Sequence, residues 1–159
     1  MLEDEMTSQN IDKKAYKTEL ARKYTNFLAK YPEIFSDLTN GADFDFALYN
    51  SLEAYDKSSP VDVFNVYRNG NGIEIRPGSA IDSDLELALS INAVEKLIQT
   101  NNKKEYAQLL GFFYNNPDEE NGWIDFALHK RTHTLIEMGY GKFAKTAGIL
   151  EDDNNGYNL

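Results

Sequence analysis

A chain of 159 residues fits a single domain, because one core of that size already buries roughly 70% of the surface its unfolded chain exposes. Hydrophobic residues make up 42% and aromatic residues 13%, which excludes a disordered chain. A net charge of −10 and a sequence pI near 4.6 oppose binding to nucleic acid, and the absence of cysteine removes disulfides, thiolate nucleophiles and cysteine-held metals together.

The expected organisation is polar tails over residues 1–10 and 150–159 around one α+β domain over residues 11–149. From Ile11 to Tyr31 the apolar positions Ala15, Leu20, Tyr24, Phe27 and Leu28 recur at helical spacing. Pro32 then breaks the helix before a short turn at Ile34, Phe35 and Leu38. The outer face of that helix carries Lys13, Lys14, Lys17, Arg22, Lys23 and Lys30 against Asp12 and Glu19. Such a stripe is an ordinary solvated face or a contact for an anionic membrane or acidic partner.

Residues 42–49 alternate, with Phe44, Phe46 and Leu48 on one side and Asp43 and Asp45 on the other, the period of a half-buried strand. A hairpin follows, its strands at Val61–Tyr67 and Ile73–Ile75 joined through Asn69-Gly70-Asn71-Gly72. After a turn at Pro77-Gly78, residues 84–89 alternate again and put Leu85, Leu87 and Leu89 on one face. Ser90 is placed to cap the next helix, which holds Val94, Leu97 and Ile98. Asn102 with Glu105 opens another helix, containing Tyr106, Leu109 and Leu110. Phe112-Phe113-Tyr114 fits either the end of that helix or a strand. Residues 115–122 read as turns, 123–128 as a strand, and 131–147 as one closing helix weakened at Gly139 and Gly141, with a kink or close contact near Tyr140.

No catalytic constellation stands out. His129 and His133 are four apart, as if on one helical face, but Lys130 occupies the position where a zinc protease needs Glu, and a third ligand is missing. The acidic end at Glu151–Gly156 stops short of a calcium loop. The pairs Asp43/Asp45 and Asp82/Asp84 are expected on the wet side of strands by alternation alone. No phosphate-binding glycine loop or serine elbow is present. No cofactor is therefore expected. The chain also lacks any run of about 18 apolar residues and begins with polar, acidic residues. The expectation is a cytoplasmic protein without a transmembrane segment.

The order of elements from Val61 to Leu128, with Phe64 to Gly72 forming the hairpin, Ser83 to Ser90 the acidic-then-apolar strand, and two helices meeting at a polar elbow, resembles the sterol carrier protein 2 family. The chain departs from that pattern after Leu110, where the acidic stretch Pro117–Gly122 is inserted and the closing helix is longer. The resemblance implies a mixed sheet of about five strands covered by helices, enclosing a hydrophobic tunnel for a lipid, sterol or fatty acyl group, without a catalytic residue. Leu85, Leu87, Leu97, Ile98, Leu109 and Phe113 are expected to border that cavity, together with Phe126, Leu135 and Met138, the last helix serving as a lid. The competing expectation is an interaction module or homodimer that uses the same apolar face for a protein partner.

Overall fold

The structure, a computed structural model, describes residues 16–70 and 72–149. The expected tails therefore lie outside the described residues, as do Lys13, Lys14, the first turn expected from Ile11, and Asn71 of the hairpin. The chain is α+β, a five-stranded mixed sheet with six α-helices among the described residues. The sheet order is β3-β2-β1-β4-β5, formed by β1 (Asp43–Tyr49), β2 (Asp62–Asn69), β3 (Gly72–Pro77), β4 (Leu85–Ser90) and β5 (Ile124–Leu128). Strands β1 and β4 run parallel and every other neighbouring pair is antiparallel.

Local chemistry sets the helix starts. Helix α1 (Glu19–Lys30) begins one residue after Thr18, whose hydroxyl accepts from the Ala21 amide and whose own amide donates to Asp62. Pro32 then opens the short 3₁₀ turn Pro32–Phe35. A small helix, α2 (Leu52–Asp56), is capped by Ser51. The Ser90 hydroxyl accepts from Ala93, capping α3 (Ile91–Leu97), and also from the Trp123 amide, so one side chain ties the β5 entry to the end of β4. Asn102 caps α4 (Lys103–Asn115) through the Glu105 amide, while the Glu105 carboxylate reaches back to the Asn101 amide. Phe112, Phe113 and Tyr114 belong to α4.

The expected single closing helix is two, α5 (Thr132–Glu137) and α6 (Tyr140–Ala147). They break at Gly139, where φ is +99°. A Cβ on Gly139 would stand 1.9 Å from the Asp37 carbonyl oxygen, and Thr39 donates to the Met138 carbonyl at 2.9 Å, so the elbow is seated on the turn before β1. Helix α6 lies against α4 at Gly111, where a Cβ would meet the Ala147 carbonyl oxygen at 1.6 Å.

The main core lies on one face of the sheet, where α1, α3, α4 and α5 cover Phe44, Phe46, Leu48, Phe64, Val66, Leu85, Leu87 and Leu89. A smaller cluster on the opposite face joins Ala47, Tyr49, Ala88 and Trp123 to Tyr55 of α2. Of the four acids expected on a wet side, Asp82 is exposed and Asp43 half-buried, but Asp45 is 3% exposed and Asp84, just before β4, 1%. The loop after β3 supplies the Ala80 amide to Asp45, and β1 itself supplies the Asp43 amide to Asp84.

Candidate apolar site

Strand alternation and register build a flat apolar floor. Across β1, β4 and β5, Phe44, Leu85 and Leu128 stand in one row and Phe46, Leu87 and Phe126 in the next. The roof comes from Tyr106, Leu110 and Tyr114, four residues apart along α4, with Leu135 of α5 and Tyr140, Phe143 and Ala144 of α6. Phe35 and Leu38 close one end. Between floor and roof lies a cavity of about 200 Å³. It opens at the free edge of β5, where the lining residues Leu128 and Tyr114 are 46% and 37% exposed.

Of the residues expected at the cavity, Leu85, Leu87, Phe126 and Leu135 line it. Leu97, Ile98, Leu109, Phe113 and Met138 do not. Leu97 is fully buried in the core, and Phe113 packs beside Gly122 and Ala93, away from the roof. Ile98 borders a surface groove with Leu20 and Lys23; Leu109 packs partly buried against the core. Met138 borders a polar cleft on the other side of the elbow. The physical reason is the rotation of α4. It turns the row 106–110–114 toward the sheet, and 109 and 113 toward its flank. Phe44 and Phe46 were legible as one strand face; their place in the floor depends on β1 pairing with β4.

The hydroxyls of Tyr140 and Tyr106 in the lining each contact a partner outside it. The Tyr140 hydroxyl donates to Asp84 at 2.7 Å, and burial followed by this bond pushes its pKa well up, so it stays neutral. Asp84 also receives Lys130 at 2.8 Å, which raises the Lys130 pKa. Tyr24 and Tyr106 meet hydroxyl to hydroxyl in the core, at 2.5 Å.

The other candidate groups do not come together among the described residues. His129 precedes α5 and contacts Ser83, so the two histidines do not share a helical face. Among the described residues no cluster of His, Asp or Glu is placed to hold a metal, and no helix is long and apolar enough to cross a membrane. Glu86, on the sheet face opposite the cavity, has its pKa raised, first by burial and then by Asp45. That side also holds Asn65, which donates to Asp43 and Asp45 and accepts from Arg76 at 2.6 Å. These bonds satisfy a buried polar network. No family model, curated protein or solved structure matches the chain.

Proposed function

We propose that the protein holds a compact apolar ligand in the cavity between the sheet and helices α4 to α6, without converting it. The observation that carries this reading is a cavity of about 200 Å³ whose walls are almost wholly apolar and aromatic, unlike the polar groove beside Ile98 and the polar cleft beside Met138. The order of hairpin, strand, helix, elbow and helix on which the likeness to the sterol carrier protein 2 family rests also supports it. The volume favours small occupants. An apolar cavity of roughly 150 Å³ holds benzene, so this one suits one or two rings, or a short acyl chain of similar bulk, better than a sterol. Burial of about 200 Å² of ligand contributes on the order of 5 kcal/mol before ordering costs, which corresponds to weak, readily exchanged binding.

Ala144→Phe tests the reading, because Ala144 faces the cavity from α6 and a benzyl group there occupies the volume. Titration of ethylbenzene by NMR should give saturable shifts at Leu85, Leu87 and Phe126 in the original protein and none in the variant. Equal binding by both proteins, or no binding by either, refutes the proposal.

A second reading is favoured by the exposure of Leu128, 46%, and Tyr114, 37%, at the free β5 edge. An apolar strip next to an unpaired strand suits a protein partner or a second copy of the chain. Solution mass across a concentration series decides it: a monomer throughout removes the homodimer.

A further inference from the structure

The buried Tyr24–Tyr106 pair carries one hydroxyl hydrogen more than the described residues bond. Tyr24 and Tyr106 are both fully buried, and their hydroxyls contact each other at 2.5 Å. Burial raises both pKa values, so each hydroxyl keeps its hydrogen. One hydrogen serves the bond between them. The other has no acceptor among the described residues, since neither hydroxyl makes a further hydrogen bond. A buried donor left unbonded is costly, and such groups in native proteins usually have a water, an ion or a ligand to answer them.

The two tyrosines differ in where that hydrogen can go. Tyr24 is enclosed by Phe46 and Phe64, with ring centroids at 5.5 and 5.6 Å. Tyr106 stacks on Phe27 and lines the cavity. If Tyr24 donates to Tyr106, the Tyr106 hydrogen is the free one, and it sits on a residue of the cavity wall. The other hydroxyl with an assigned partner in that wall, Tyr140, is already spent on Asp84.

We infer that the ligand of this cavity carries a hydrogen-bond acceptor oxygen, a carbonyl or ether rather than a bare hydrocarbon, which takes the free hydroxyl hydrogen of Tyr106. This rests on the apolar-cavity reading above and narrows its ligand class. Tyr106 is then a specificity residue that distinguishes a ketone from the hydrocarbon of the same shape.

The test compares ethylbenzene with acetophenone, which differ by a carbonyl in place of a methylene. Dissociation constants for both are measured by NMR titration in the original protein, in Tyr106→Phe and in Tyr24→Phe. Loss of one neutral hydrogen bond changes an equilibrium by roughly three- to tenfold. Tyr106→Phe should therefore weaken acetophenone by about that factor relative to ethylbenzene, whereas Tyr24→Phe, which leaves the Tyr106 hydroxyl in place, should preserve the ratio. An unchanged ratio in a folded Tyr106→Phe overturns the inference while ethylbenzene binding still upholds the cavity. Absence of ethylbenzene binding overturns the cavity itself. Should Tyr106→Phe fail to fold, the carbonyl stretch of acetophenone bound to the original protein decides: a shift to lower wavenumber than in alkane is expected, and an alkane-like band refutes the bond.

Discussion

Gly139→Ala is expected to cost far more than the helix-propensity gain of an alanine. Gly139 has φ +99°, a region that alanine enters at a cost of about 1–2 kcal/mol. The added methyl would also lie 1.9 Å from the Asp37 carbonyl oxygen and 2.9 Å from Leu38 Cα, both backbone atoms that cannot rotate aside. The elbow must lift, and the Thr39 to Met138 hydrogen bond at 2.9 Å is the first contact to go, worth about 1 kcal/mol. Together these predict a loss of about 2–4 kcal/mol in urea unfolding. Gly148→Ala is the matched control. Gly148 also has positive φ, +78°, but its Cβ meets nothing within 4 Å, so only the backbone cost of about 1–2 kcal/mol applies. Equal losses in the two variants would refute the seating of the α5–α6 elbow on Asp37. A gain in stability at Gly139 would restore the single continuous helix.

Tyr140→Phe removes one of three donors to the Asp84 carboxylate while keeping the ring in the cavity wall, and should cost about 1–2 kcal/mol by urea unfolding with little change in ethylbenzene affinity. Leu97→Trp enlarges a fully buried core position away from the cavity. It should destabilise by about 1–3 kcal/mol without filling the site, so retained probe binding in a folded but weakened protein is the expected result. Glu86→Gln addresses pH. Because the folded pKa of Glu86 is raised above its ordinary 4.5, the folded chain holds the proton more tightly, and the stability this gives is present below 4.5 and lost as pH rises through the folded value. Glutamine should therefore stabilise at pH 7, by less than about 1 kcal/mol because water partly screens the side chain, and make no difference at pH 3, as read from paired denaturation curves.

The strands and caps were legible because their causes are local. Alternation around Phe44 and Phe46, the glycine-bearing hairpin turn after Asn69, and the hydroxyl and amide caps at Ser90 and Asn102 each act within a few residues. In the closing helix the kink near Tyr140 was legible but the full break was not, because two glycines in a helical pattern signal weakness while the positive φ at Gly139 fits the backbone of Asp37 opposite it. The cavity was half legible for a related reason. Leu85, Leu87 and Phe126 follow from strand faces, whereas α4 offers Leu109 and Phe113 as readily as Tyr106 and Leu110 until its docking against the sheet selects one row. The buried acids were misplaced because alternation names the face away from the main core, not whether loops cover it.

Why the cavity stays open is a question of supports. An apolar cleft gains packing contacts when its roof closes on its floor, so a roof free to move would be drawn in. The roof is not free. Its floor is a hydrogen-bonded sheet whose spacing is fixed by register, and α6 is fixed at three points: the Gly139 elbow against Asp37, the Tyr140 hydroxyl on Asp84, and Ala147 against Gly111. Two of these three are backbone contacts and the third ends on a buried carboxylate that also holds Lys130 and the Asp43 amide. Collapse by even a few tenths of an ångström would press backbone on backbone at Gly139 and Gly111, where no side chain can yield. Two backbone contacts and one polar bond thus hold the roof off the floor, and an apolar occupant would recover the packing contacts that these supports deny to the protein itself.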